Sequence, residues 1–216
     1  MYKLTQQENQ NYLHMKKLFT LLMIMLIHAF SFISDAQFNL GIGVKGGINI
    51  ANQTTTGEGE NVYIENLMRF HGGAYLNYFF LDNLAIQPEL IVTGKGSKWD
   101  DPYNKTRDLL TYIDLPLLIR YQPVKLLNIH AGPEFGYLII ASQDPAQGDE
   151  KIDIKDWYND LDIGIVFGAE ANLPYRINIT VRYILGLSTV TNDVEYIDPW
   201  KNNFLQVSLG FRIKGR

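Results

Sequence analysis

Cysteine is missing from all 216 residues, which removes disulfide frameworks, thiol nucleophiles and zinc-thiolate sites, and suits a chain that passes through an oxidising compartment without mispairing. A basic cluster is missing as well. The formal net charge is −4, and no Lys/Arg-rich run or helix supplies the electrostatic footprint of a nucleic-acid binder, so nucleic acid is set aside as a partner. Helical periodicity is nearly absent after residue 37. No Gly-x-x-x-x-Gly-Lys loop and no EF-hand spacing occurs, so neither a cofactor nor a metal is expected. What the chain does contain is 46% hydrophobic and 12% aromatic residues, enough for a well-buried fold that is most simply one domain.

The first segment reads as an address. Met15-Lys16-Lys17 precedes a stretch from Leu18 to Ile33 that is apolar apart from Thr20, His28 and Ser31, and Ser34-Asp35-Ala36 follows it. A charged start, an apolar core and a small-x-small site describe a signal peptide, and the run is short for a bilayer-crossing helix, which needs about 20 apolar residues. Residues 1–36 are therefore expected to be an N-terminal extension plus signal, with Met15 as a plausible start and cleavage after Ala36. Residues 37–216 are then the mature domain.

From Phe38 onward, apolar residues alternate with polar ones or glycine, the two-residue period of strands whose faces meet different surroundings. Eight such runs occur: Phe38–Ile50, Phe70–Phe80, Leu84–Ser97, Leu109–Tyr121, Leu127–Ile139, Leu161–Ala171, Ile177–Leu187 and Leu205–Ile213. Their connections alternate in length. Leu81 to Asn83, Gln122 to Lys125 and Asn172 to Tyr175 read as tight turns rich in Asp, Asn and Pro. Ala51 to Leu67, Trp99 to Arg107, Ala141 to Trp157 and Val190 to Asn202 read as long polar loops, all leaving one end. Short turns at one end and long loops at the other predict an all-β fold, an eight-stranded antiparallel up-and-down transmembrane barrel of the bacterial outer membrane.

A soluble lipocalin-like barrel shares the alternation with its faces exchanged, so the polar parity must decide. It is loaded with glycine and with charges that can neutralise one another: Lys45, Arg69, Arg120, Arg182 and Arg212 against Glu89, Asp114, Glu134, Asp162 and Glu170. An eight-stranded barrel has an interior that side chains fill, and charges buried there must be paired. A solvated face needs no such balance. The apolar parity carries Phe38, Tyr78, Phe80, Tyr121 and Phe211 near the turn end, where an interfacial aromatic girdle belongs. Pro88, Pro116 and Pro133 fall inside strands, and each is expected to mark a bulge or a locally broken ladder.

The stretches Val44-Lys45-Gly46-Gly47-Ile48-Asn49, Gln87-Pro88-Glu89-Leu90, Tyr112-Ile113-Asp114-Leu115-Pro116-Leu117-Leu118 and Gly132-Pro133-Glu134 resemble the PorT-like outer-membrane β-barrel family of Bacteroidota-type bacteria. The resemblance spans roughly the whole mature chain. It implies an eight-stranded outer-membrane barrel that tolerates proline at these places, and its namesake is linked to type IX secretion. It does not imply a settled activity.

Chemistry is sparse. His71 and His130 fall on the inward parity among carboxylates, and a lipid-modifying barrel enzyme would need a serine and an acid beside such a histidine. No nucleophile motif surrounds any strand serine, so no catalytic residue is named. Loop carboxylates Asp144, Asp149, Glu150, Asp153 and Asp156, with Asp193, Glu195 and Asp198, are interrupted by Lys151 and Lys155 and read as solvated faces. The leading expectation is a non-enzymatic barrel serving envelope structure, adhesion or partner docking, with Tyr63, Trp99, Tyr103, Trp157, Tyr158, Tyr196 and Trp200 as candidate loop contacts. Its partners are then outer-membrane lipids, lipopolysaccharide and other envelope or extracellular proteins. Secretion accessory and lipid A-modifying enzyme are the alternatives.

Overall fold

The computed structural model describes residues 39–55, 64–100, 105–145, 150–192 and 200–215. The extension and leader expected over 1–36, together with Phe38, Tyr63, Tyr103 and Tyr196, lie outside the described residues. Ten strands follow in chain order: β1 (Leu40–Thr55), β2 (Ile64–Glu65), β3 (Leu67–Phe79), β4 (Leu84–Asp100), β5 (Lys105–Val124), β6 (Leu127–Pro145), β7 (Ile152–Asp153), β8 (Leu161–Asn172), β9 (Ile177–Gly186) and β10 (Trp200–Lys214). Eight long strands pair antiparallel with their neighbours in sequence, and β1 pairs both β3 and β10. The ring therefore closes without a free edge. The two-residue strands β2 and β7 prolong β3 and β8, pairing at Ile64 with Trp99 of β4 and at Ile152 with Gln143 of β6.

Alternating burial follows the sequence period. In β9 the run Ile177 to Gly186 steps between buried and exposed at every residue; Asn178, Thr180, Arg182 and Ile184 face inward, while Ile179, Val181, Tyr183 and Leu185 face outward. Tyr78, Phe80, Tyr121 and Phe211 are exposed together near the turn end, the geometry of an aromatic belt. Leu115 shares the outward parity of Leu117 and Ile119, yet it is almost fully covered. Leu117 is the better exposed residue of that face.

Several boundaries move. β1 runs on to Thr55, β4 to Asp100 and β6 to Pro145, while β5 starts at Lys105 and β10 at Trp200, so much of what was expected to be long loop is strand. The physical reason is the solvent. Above the membrane both faces of a strand can be polar, so the alternation that marks a strand fades although the ladder continues. Spanning a bilayer takes about 9–11 tilted residues, whereas β4, β5 and β6 have 17, 20 and 19. One side of the barrel thus rises as a wall beyond β8 and β9, which have 12 and 10. At the other end Gln122 to Val124 belong to β5, leaving Lys125-Leu126 as the turn.

Pro88, Pro116 and Pro133 break ladders without bulges, whereas Pro123 lies within a register shift between the Tyr121/Ile129 and Val124/Leu127 pairs. Pairing of β4 with β5 skips from Pro88/Leu117 to Ile91/Asp114, and that of β5 with β6 from Pro116/Glu134 to Ile119/Ala131, with the register unchanged across both gaps. The missing N–H interrupts bonding locally while neighbouring pairs hold alignment. The register shift in β6 lies instead between the Thr111/Ile140 and Tyr112/Leu138 pairs. It inserts Ile139 and flips parity, so that Leu138 and Ala141 both face inward.

Candidate functional site

The lumen is filled in layers. Nearest the turns, Arg120 donates through Nη2 to Glu170 Oε1 at 2.7 Å, and Asn128 and Thr180 donate to the same carboxylate at 3.2 and 3.1 Å. Tyr75 accepts from Asn178 in this layer at 2.9 Å. Gly43 makes room for it, because any β-carbon there would overlap the Tyr75 ring.

In the middle layer Glu89 holds two cations. Arg182 grips it with both terminal nitrogens at 2.7 and 2.6 Å, and Lys45 Nζ reaches Oε1 at 2.9 Å. Arg182 Nε also donates to His130 Nε2 at 2.8 Å, an acceptor role that requires this ring nitrogen to be unprotonated. Gly168 lies against both side chains, where a β-carbon would collide with His130 and Arg182. His71 Nε2 is paired with Ser208 Oγ at 2.8 Å, and no described group bonds its Nδ1.

The upper layer is organised by Lys95. Its ammonium lies 3.1 Å from each of Asp114 Oδ1, Glu134 Oε1 and Asp162 Oδ2. The rings of Tyr112 and Phe204 flank it at 4.7 and 5.1 Å to their centroids, so the cation sits in an electron-rich, dry cage. Asn202 adds a bond to Asp162 at 2.9 Å and itself accepts from Gln53 at 3.2 Å.

Above this layer the outer mouth is shut by apolar packing. Leu110, Tyr112, Leu138 and Ala141 from β5 and β6 meet Ile154, Tyr158, Val190 and Trp200 in one buried cluster, with Trp99 packed against it. Trp99 and Trp200 contact edge to face at 5.3 Å between centroids. Buried Asp108 ties the cap to the wall, accepting from Tyr158 Oη at 3.0 Å, Gln143 Nε2 at 3.0 Å and Trp99 Nε1 at 3.3 Å. Burial, then the Asp108 charge, pushes the Tyr158 phenol well above its ordinary range, so it remains a donor. The segment 152–158 is pinned further by Asn159 Nδ2 to the carbonyls of Thr189 and Thr191 and by Asn192 Nδ2 to that of Asp156.

Measured against the sequence reading, the lumen brings together Lys45, Glu89 and Arg182, then Arg120 and Glu170, then Asp114, Glu134 and Asp162. It does not pair five cations with five acids. Among the described residues Arg69 bonds Thr111, at 3.4 Å, and neither it nor Arg212 forms an ion pair with a described carboxylate. Lys95 takes three acids instead. It shares the parity of Glu89 and Thr93 within the expected run Leu84–Ser97, so the signal was present, although the sequence reading did not count it among the interior charges. Asp108 has the parity of Asp114 and was missed because it precedes the expected start of its strand. Among the candidate contacts, Tyr158 and Trp200 are buried in the cap and Trp99 is half-buried, since their rings seal the mouth; Trp157 is exposed. Among the described residues no group of acids and histidines is arranged to hold a metal.

A closed ring of eight antiparallel strands, a polar plugged lumen and an apolar outer belt with aromatics at the turn end define a transmembrane β-barrel. The sequence matches the outer membrane protein beta-barrel domain over residues 35–192. The chain belongs to that family, which implies a place in the bacterial outer membrane. Among solved structures, Neisserial surface protein A is similar with a TM-score of 0.50 and 9% identity, over 79% of this chain and 96% of that one. Ail of Yersinia pestis (TM-score 0.47, 12% identity, 82% and 100% covered) and OprG of Pseudomonas aeruginosa (0.48, 10%, 82% and 97%) are also matched. At such identity the likeness speaks for the fold alone. A search of curated proteins by sequence finds no match.

Proposed function

We propose that this barrel is a non-enzymatic anchor that presents a rigid docking platform at its outer end. The observation that carries the reading is the capped wall: β4 to β6 project beyond the bilayer, and segment 152–158 is bonded across the mouth instead of hanging free. Trp157 is exposed on that segment while its backbone is held on both sides, its N–H donating to Ile154 at 3.0 Å and its carbonyl accepting from Asn192 at 2.9 Å. A large aromatic side chain already ordered costs little entropy to bury in an interface. The outer connections are acidic by sequence, with Asp144, Asp149, Glu150, Asp153 and Asp156 against Lys151 and Lys155, which favours a cationic partner.

Catalysis is disfavoured by the same geometry. The His71 and Ser208 pair is sealed inside the lumen, where no lipid chain reaches it, and no described acid orients the imidazole. The secretion role of the resembled PorT-like proteins and the cleaved leader belong to this proposal as well, the latter as the route to the outer membrane. Two separate variants, replacement of 150–158 by a short Gly/Ser linker and Trp157→Ala, test the docking reading. Both variants should keep the heat-dependent gel shift of a closed barrel and lose partner capture from envelope or host-surface preparations. Capture equal to the parent by the loop-less barrel would empty the idea.

A further inference from the structure

The inner mouth is built differently from the outer one. The turn end opens into a cavity of about 480 Å³ lined by Asp82, Gln122, Lys125, Asn172 and Arg212, with Pro123 and Val124 on its wall. Asn172 on its lining accepts from Arg120 Nη2 at 3.5 Å, and the Arg120 charge is already taken by Glu170. Arg212 points inward, half-buried, and lies within electrostatic reach of Arg120 and Tyr75. No described carboxylate pairs with its guanidinium, and Asp82, the one acid on the lining, is engaged in a contact of its own.

Lys125 is the second cation here, and its turn is held in place. Gln122 Nε2 and Asn172 Nδ2 both donate to the Lys125 carbonyl, at 3.1 and 3.0 Å, so the rim that carries the ammonium is braced from two strands. Each amide keeps a second N–H. A half-buried guanidinium that forms no ion pair with a described carboxylate keeps its charge-assisted donors available to a ligand. A planar fork, a nearby ammonium and amide donors around one concave space match a tetrahedral oxyanion. The cavity also exceeds what a lone carboxylate would fill.

We propose that this vestibule binds a phosphate group presented from the periplasmic side, either free or as the headgroup of a phospholipid in the inner leaflet. The full mature chain, folded in a phosphate-free maltoside detergent, is titrated with inorganic phosphate, glycerol phosphate and, in mixed micelles, phosphatidylglycerol. Binding is read from the Arg212 Nε–H and the Lys125 and Asn172 amide resonances. Saturable shifts are expected, and Arg212→Gln should weaken binding about tenfold or more, the loss of one charge-assisted contact. Lys125→Gln should weaken it less, and Lys201→Gln at the outer end not at all. Response to the soluble phosphates identifies a free anion as the source, and response to phosphatidylglycerol alone identifies the lipid. No response to any of them, acetate binding as tightly as phosphate, or an Arg212→Gln protein that titrates like the parent would overturn the proposal. Should Arg212→Gln lose its heat-dependent gel shift, Lys125→Gln, altered on an exposed turn, carries the same reading.

Discussion

The outer mouth of this barrel is closed by hydrocarbon and the inner mouth is left open to water, although the same eight strands build both. At the outer end Trp99, Gln143 and Tyr158 all donate to the buried Asp108, and Trp200 packs edge to face on Trp99. At the inner end Arg212 and Lys125 line a cavity with a single acid. The difference teaches how an eight-stranded barrel divides its labour. Apolar burial gives a seal that no ion can wet, whereas unmatched charge keeps a mouth hydrated and receptive. Between the two mouths the ion-pair layers insulate one end from the other.

The sharpest way to break that division is to attack the layer directly beneath the cap. Lys95→Met removes the cation that Asp114, Glu134 and Asp162 share, leaving three carboxylates in a dry cage. Breaking a buried pair from one side costs about 3–5 kcal/mol. We expect a loss of at least that size in urea unfolding in detergent, because one removal strands three acids. If Lys95→Met unfolded at the parent's midpoint, the carboxylates would not depend on the ammonium and the insulating layer would be fiction. Glu134→Leu sharpens the point: Lys95 keeps two acids, so this change should cost clearly less than Glu89→Leu, which strips Arg182 and Lys45 together. Equal losses at the two positions would erase the distinction between layers.

Next in size is the belt that both ends share. Leu117→Arg places a charge on an exposed outward position in the middle of β5 and should cost ~2–4 kcal/mol in a bilayer. A charge on the same face ought to matter far less in the projecting wall. Arg107 is already a charged, exposed residue ten positions earlier on the same strand, and Arg107→Leu should shift the unfolding midpoint within about 0.5 kcal/mol. A gain at 107 as large as the loss at 117 would mean that the wall is in lipid.

How far the sequence could be read follows this same geography. In the membrane the two surroundings differ so strongly that every residue declares its face, and the eight strands, the ring and the inward set around Glu89 and Asp114 were legible from a period of two. Outside it the contrast vanishes. Lys98, Thr106 and Arg107 sit in strands that no alternation announces, and the cap depends on Ile154, Tyr158 and Val190 folding back across the mouth, a tertiary event with no local code. Parity places a charge inside but does not say which acid it meets. Arg69 and Arg212 therefore looked paired, and Lys95 escaped notice. Ile139 shows the remaining difficulty, for one inserted residue exchanges inward and outward for the rest of β6.

The mildest test separates cap from barrel. Tyr158→Phe deletes only the hydroxyl that donates to Asp108 at 3.0 Å and keeps the ring in the apolar cluster, so the net loss should be about 0.5–1.5 kcal/mol. Asp108 keeps its bonds from Gln143 and Trp99, which argues for the lower part of that range. The loss should also be local, because no residue of 150–158 takes part in closing the ring. Amide exchange of Ile154 and Tyr158 should therefore quicken while exchange within β8 and β9 stays at the parent rate. Uniform quickening through the barrel strands would show that the mouth and the ring unfold as one unit, and that the cap is a structural keystone and not a separable platform.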